Sequence, residues 1–316
     1  MRELLCMAPV LSLVLVMSAA GCDPPGANPP EPDLRDVLTE LAESVDCPDS
    51  PAFAPGVVSS PAEEWRIAFT PDGKTAYFGV SEEFFPIARQ ATIMVTHLVD
   101  GAWTVPEVAP FSGQHSDIDP FIAPDGSRLY FSSIRPVDGQ PRTDTDLWMV
   151  ERGPGGEWGD PVHLGAAVNS PADELYPSVT ADGELLFGSD RDAAIRGWDI
   201  FRAEATGGVF GQAEPIAGAV NTEVWEFNPW IAADGQVLVF TGLDRPGGHG
   251  LGDLWASFRG EDGTWGPVLD LGPCVNTPLD EYHPTLDRGR LFFVRHAYEP
   301  WEAGDLHALK LPAGSD

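Results

Sequence analysis

The chain has 316 residues, 43% apolar and 10% aromatic, with 49 acidic against 18 basic side chains and a net charge of −31 at pH 7. That apolar content supplies a large buried core and excludes a disordered chain. So acidic a surface repels phosphate backbones and anionic headgroups, which excludes nucleic acid as the expected partner, leaves basic partners and cations open, and by itself serves the solubility of an exported chain.

The first element is a leader, residues 1–21. MRELLCMAPVLSLVLVMSAAGC starts charged, runs apolar from Met7 to Met17 and ends in small residues before Cys22. The run is too short to span a bilayer, so it is expected to act as a secretory signal peptide. Ala19-Ala20-Gly21-Cys22 resembles a bacterial lipobox, with Ala19 where Leu is commoner, and implies lipidation of Cys22; ordinary cleavage is the alternative. The mature protein is then an exported lipoprotein of the bacterial envelope, in the periplasm or on the outer surface, touching membrane only through its anchor.

Residues 22–33 contain DPPGANPPEPD, a Pro-rich tether. Residues 34–51 form a short helix and lead-in: Leu34, Val37, Leu38 and Leu41 share one stripe, and Asp33 is placed to cap it.

From 52 to 316 the chain repeats. DELYPSVTADGELLFGSDR (173–191) returns as SDIDPFIAPDGSRLYFSSIR, WEFNPWIAADGQVLVFTGLDR and DEYHPTLDRGRLFFVR, with a worn first copy, EEWRIAFTPDGKTAYFGV. The Asp-Gly turns at 72, 125, 182 and 234 lie 53, 57 and 52 residues apart, and a fifth is shortened to Asp287-Arg288-Gly289. Asp-Gly between apolar segments signals a tight hairpin, and the continuous runs after it (LYF, LLF, VLVF, LFF) signal strands covered on both faces. A third strand follows in DLWMV, DIFRA, DLWAS and DLHAL, and a fourth in TVPEVAP, DPVHLGAAVN, AEPIAGAVN and GPVLDLGPCVN. Four short antiparallel strands per copy predict an all-β, five-bladed β-propeller. The fifth copy lacks its fourth strand, and FAPGVVSSPAEEW near the N-terminus resembles the missing piece, so a strand from the N-terminus is expected to close the ring; six blades are the alternative.

Cys6 leaves with the leader and Cys22 would carry lipid, which leaves Cys47 and Cys274. Ring closure brings both near blade five, so a Cys47–Cys274 disulfide is expected in an oxidising compartment, with two buried thiols as the alternative.

The recurring acidic residue, Pro, Asp-Gly turn, apolar run, Ser-x-Arg and Asp-Leu resemble the WD-40-like propeller repeat of the TolB family over roughly residues 52–311. Copy one departs from it, with Ile67 in place of Pro and no Arg. The resemblance implies an exported or periplasmic propeller that binds proteins, while some distant relatives act on oligosaccharides.

Each copy carries one acid before its turn: Glu64, Asp117, Glu174, Glu226 and Glu281. By symmetry they form a ring expected at one mouth of the central channel. They read either as a cation or docking site or as partners of Arg135, Arg191, Arg245 and Arg295, one pair per blade. Copy one has no such Arg, with Arg66 or Arg89 as substitutes, and places Phe84 and Phe85 in the same loop, where they either await a partner or fold back over the blade. A docking site is expected there, extending to the loop with His249. His283, His296 and His307 in the last blade match no metal-ligand spacing. No cofactor is expected, although a divalent cation stays possible at the carboxylates. No catalytic signature is present, and acid pairs such as Asp117 with Asp119 would serve glycoside hydrolysis only if suitably opposed. The expected function is a non-catalytic, monomeric binding or scaffold module for an envelope protein or glycan; the alternative is a glycoside hydrolase or polysaccharide lyase using carboxylates at the mouth.

Overall fold

Each copy folds as one antiparallel blade, and five blades close into a β-propeller. The computed structural model describes residues 33–191, 197–298 and 301–313; the leader, Cys22 and the tether up to residue 32 lie outside the described residues. Blade two shows the plan: Asp117–Ile122 innermost, then Arg128–Ser133, Asp146–Glu151 and the short outer Val162–His163. At its first turn Gly126 has φ +71°, which a side chain would resist, while the Asp125 carboxylate accepts from the Ser127 N–H and hydroxyl. Blades three and four start at Glu174–Val179 and Trp225–Ile231, blade one at Glu63–Phe69 and blade five at Asp280–Asp287.

The continuous apolar runs form the second strands, and both their faces are covered because each blade packs against its neighbours. Leu129 and Phe131 of blade two meet Ile93 and Val95 of blade one, and Leu185 and Phe187 of blade three pack with Tyr130 and Leu147 of blade two. Burying such side chains is worth about 1.5–3 kcal/mol each, so the seams between blades are the core.

Blade five has three strands of its own, ending with Arg290–Tyr298 and Trp301–Lys310. The N-terminal segment takes the fourth place. Ala52 bridges His307, the Phe53 N–H donates to Leu306 O at 2.6 Å, and the Ala308 N–H donates to Pro51 O at 3.1 Å. Further along, Ser59 Oγ donates to Leu306 O, as Asn169 Nδ2 donates to Leu147 O in blade two and Asn276 Nδ2 to Leu254 O in blade four. The segment Val58-Ser59-Ser60 thus does for blade five what Val168-Asn169-Ser170 does for blade two.

Helix α1, Leu34–Glu43, begins at Asp33, whose carboxylate accepts from the Arg35 N–H. Its stripe Val37, Leu38 and Leu41 is buried among Val239, Leu254, Leu271 and Leu309, where blades four and five meet. Gly272 lets the helix approach: a Cβ there would lie 2.4 Å from Ala42 O. Just past the helix, Cys47 is joined to Cys274 in a disulfide with the Cα atoms 4.8 Å apart. The bond closes a separation of 227 residues, for which chain entropy gives on the order of 5 kcal/mol as an upper figure. Replacing both cysteines by Ser is expected to lower the urea midpoint by a corresponding amount, and reductant should bring the unmodified chain down to the same midpoint.

Candidate functional site

The five ring acids turn inward between blades, and none is solvent-exposed. Four are clasped in the same way. Asp117 accepts from Arg135 at 2.5 Å and from Ser112 and Ser133; Glu174 accepts from Arg191 at 2.9 Å and from the Ser170 N–H and hydroxyl. Glu226 accepts from Arg245 at 2.8 Å and from Thr222, and Glu281 from Arg295 at 2.8 Å and from Thr277. The same guanidinium groups also donate to Phe111 O, Val168 O, Val220 O and Val275 O, in the segment that follows the preceding blade's last strand. Each Arg therefore ties its own innermost strand to the blade before it. Burial raises Glu174, Glu226 and Glu281 above the ordinary carboxylate range against the pull of these donors, Glu281 to about 7.

Blade one departs from this scheme. Glu64 accepts from the Ser60 N–H and hydroxyl, but its Oε2 is buried without an Arg and faces the Asp305 carboxyl. Neither expected substitute reaches it: Arg66 crosses the channel and Arg89 leaves for Asp173. Burial first, with Asp305 adding and Ser60 opposing, pushes Glu64 to about 8. The seam between blades five and one thus lacks the acid–Arg clasp of the others; Arg288 of blade five donates instead to Thr70 O and Pro71 O of blade one. Beside Glu64, Glu63 accepts from the Gly304 N–H at 2.8 Å, with His296 Nε2 at 3.5 Å.

The channel itself is built from a position that does not repeat in chemistry. Two residues after each acid stand Arg66, Asp119, Tyr176, Asn228 and His283, and in the last four copies the next residue is Pro. Proline cannot donate to the ladder, and the register of every innermost strand shifts at this point. Asp119, Tyr176, Asn228 and His283 all adopt φ between +52° and +63° there. The bulge re-aims them toward the axis. Arg66, wholly buried, donates to Pro177 O at 2.9 Å and Pro229 O at 2.8 Å, carbonyls of blades three and four, and so bars the channel. Asp119 lies 3.3 Å from His283 Nδ1, and Asn228 Nδ2 is 3.2 Å from the same nitrogen. Burial raises Asp119 to about 7 and lowers Arg66 to about 10, each opposed by the other's charge; burial and Arg66 together hold His283 well below its ordinary value, hence neutral.

Above this floor opens a bowl of about 400 Å³. Because side chains alternate along a strand, the residue after the acid faces the opening in four blades, where Trp65, Leu175, Phe227 and Tyr282 line it, while Ile118 of blade two is buried beside Trp65 and Phe85. Tyr176 and His283 form its base, and Trp198 and Trp225 its far wall. Trp65 meets His283 edge to face at 5.5 Å between centroids, Tyr176 meets Trp198 tilted at 5.9 Å, and Phe227 stacks on Tyr282 at 6.0 Å. The loop of copy one supplies the near wall. Phe85 opens the short helix α2, Phe85–Ala88, and is buried against Trp65, while Phe84 is half-buried over Trp65 at 5.7 Å. Both therefore fold back over the blade and line the bowl. Arg89 then reaches across to Asp173 of blade three at 2.6 and 3.0 Å. Burial pushes Asp173 up, but Arg89 and the Thr145 N–H outweigh it and leave it below the ordinary range.

The expected ring of acids therefore does not face the mouth; the next residue does in four of the five copies. His249 sits away from the bowl, 3.0 Å from Asp270, though Leu251 two residues on lines it. His307 contacts Ser50 O and stacks on Phe293, far from His283 in chemistry and role. Asp117 and Asp119 do not oppose each other across a cleft: one is clasped by Arg135, and the other is under the floor. Among the described residues, no three His, Cys, Asp or Glu side chains are grouped to hold a metal. The floor residues were missed although a signal for them exists: between a recurring acid and a recurring Pro, the residue before Pro changes from Asp119 to Tyr176, Asn228 and His283.

No family model matches the chain, and no curated protein matches it in sequence. Similar solved structures include a glycoside hydrolase, 10% identical over 86% of this chain and 94% of that one, with a TM-score of 0.59. They also include TolB from Acinetobacter baumannii, 16% identical over 81% and 56%, TM-score 0.46, and a GH43 endo-arabinanase from Bacillus licheniformis, 14% identical over 80% and 96%, TM-score 0.48. At such identities the likeness is one of fold.

Two stability predictions follow from the clasps. Arg135→Ala leaves Asp117 buried and uncompensated and is expected to cost about 3–5 kcal/mol in urea unfolding at pH 7. Glu64→Gln should behave oppositely. Glu64 keeps its proton to about pH 8 in the fold but loses it near 4.5 when unfolded, so its stabilisation is complete below pH 4.5 and is lost as pH rises to about 8. The variant lacks that loss, and its stability relative to the parent should grow between pH 5 and 8.5 by on the order of a few kcal/mol.

Proposed function

We propose that this protein is an exported, lipid-anchored β-propeller that works as a non-catalytic binding module of the bacterial envelope, and that it engages a protein partner through the aromatic bowl. The observation that carries this reading is the bowl itself: a concave, mostly apolar opening whose walls come from non-repeating residues on a repeating scaffold. Repeat-wise contacts build blades, whereas departures from the repeat that converge on one opening are what a binding site requires. Export and anchoring rest on the leader pattern and on Cys22 in its Ala-Ala-Gly-Cys context.

Exposed apolar side chains at the rim favour a macromolecule. Ile87 is 80% exposed beside the near wall, Trp225 44% and Leu251 49% on the far side, and Leu279 41% next to Leu251, whose N–H donates to Asp280. Such a rim around a concave core is the anatomy of a protein interface. A glycosidase would instead need two accessible, suitably spaced carboxylates. The carboxylates lining the bowl are Asp173, which is held by Arg89 and Thr145, and Asp190, which accepts from the Asp173 N–H.

Photo-crosslinking tests the proposal. With a benzophenone side chain at Ile87, expression in envelope-containing cells is expected to give a discrete protein adduct, and the same group at Val105, equally exposed at 82%, should give none. Release of reducing ends from arabinan or other oligosaccharides by the purified chain, lost on Asp190→Asn, would overturn it.

A further inference from the structure

We infer that the partner segment seated in the bowl carries a cationic side chain, Arg or Lys, flanked by apolar residues that rest on the rim. This inference rests on the reading of the bowl as the binding site and adds the chemistry of its occupant.

Three independent features point to a cation. Aromatic rings line the opening at Trp65, Phe84, Trp198, Trp225 and Phe227, and a ring face presents negative quadrupole charge to a cation seated on it. Among the described residues, the full charges lining the bowl are Arg89, Asp173 and Asp190; Arg89 and Asp173 cancel in a two-pronged pair, which leaves Asp190 and a net negative lining. The surrounding chain carries a net charge of −31, which raises the local concentration of cations and repels anions.

Among the described residues, the nearby cations are already engaged. Arg191 and Arg245 are clasped by Glu174 and Glu226, and Arg66 beneath the floor is held by two carbonyls. His283 at the base is neutral, so no positive group opposes an incoming one there.

Shape adds a limit. Because Arg66 bars the axis, the bowl is a blind socket that admits a side chain and its neighbours but cannot be threaded by a chain. About 400 Å³ suits a long basic side chain with parts of the residues beside it.

Citrulline matches arginine in shape without its charge, which gives the test. The purified chain is titrated with acetyl-Leu-Arg-Leu-amide, acetyl-Leu-citrulline-Leu-amide and acetyl-Leu-Glu-Leu-amide, following tryptophan fluorescence and heat of binding. The Arg peptide is expected to bind at least tenfold more tightly than the citrulline peptide, and the Glu peptide not at all. Asp190→Asn should narrow the Arg-to-citrulline ratio severalfold. Trp225→Ala, which removes a ring without altering charge, should weaken the Arg peptide at least tenfold while the circular dichroism is unchanged. Equal binding of Arg and citrulline peptides, reduced alike by Trp225→Ala, would overturn the cation and leave the bowl as the site. Arg-peptide binding indifferent to both Trp225→Ala and Phe84→Ala would reduce it to attraction by the acidic surface and overturn both readings. Failure of all three peptides to bind would overturn the inference outright.

Discussion

The constraint on which the molecule depends is the buried clasp between neighbouring blades: one carboxylate, one guanidinium and one carbonyl of the blade before. A carboxylate taken out of water costs several kcal/mol unless it is paired and hydrogen-bonded, so this contact tolerates little displacement. It fixes the angle at which each blade meets the last. The hydroxyl four residues ahead of the acid in blades three to five, Ser170, Thr222 or Thr277, satisfies further lone pairs, which makes the unit self-sufficient and repeatable.

On that rigid ring the protein varies what the clasp does not use. The residue after the acid, in four of the five blades, and the residue after that point to the mouth and the axis, and their identities differ from blade to blade. The bulge at Pro makes this possible, because it breaks the ladder where the side chain must turn inward while the two halves of the strand stay paired. The geometry is common to the blades, and the chemistry is individual.

This division explains what was legible in the chain. The Asp-Gly turns and the continuous apolar runs are local signals of backbone shape and of two-sided burial, so the blade count and the closing segment could be read directly. The pairing of Glu174 with Arg191 could be read too, since both recur at fixed spacing. That the acids would be sealed off, with Trp65 or Phe227 facing outward in their place, depends on the direction of a side chain at a bulge, which no periodicity reports. The reach of Arg89 over blade two to Asp173, and that of Arg66 to Pro177 and Pro229, cross blades and follow no repeat; only the three-dimensional path of the chain discloses them.

The disulfide has a kinetic side. Closure of the ring rests on the short stretch of residues 51–53 and on Ser59, few enough bonds to open locally, and the acid at the seam it seals, Glu64, has no Arg clasp. Cys47 lies only four residues ahead of Pro51 and is bound to blade four through Cys274. A segment that comes off is therefore leashed at an effective concentration on the order of millimolar, and its return is a local step rather than a search. An opened ring recloses onto its own strand before a neighbouring molecule can offer a substitute, which protects the chain from exchanging strands with other copies at high local concentration.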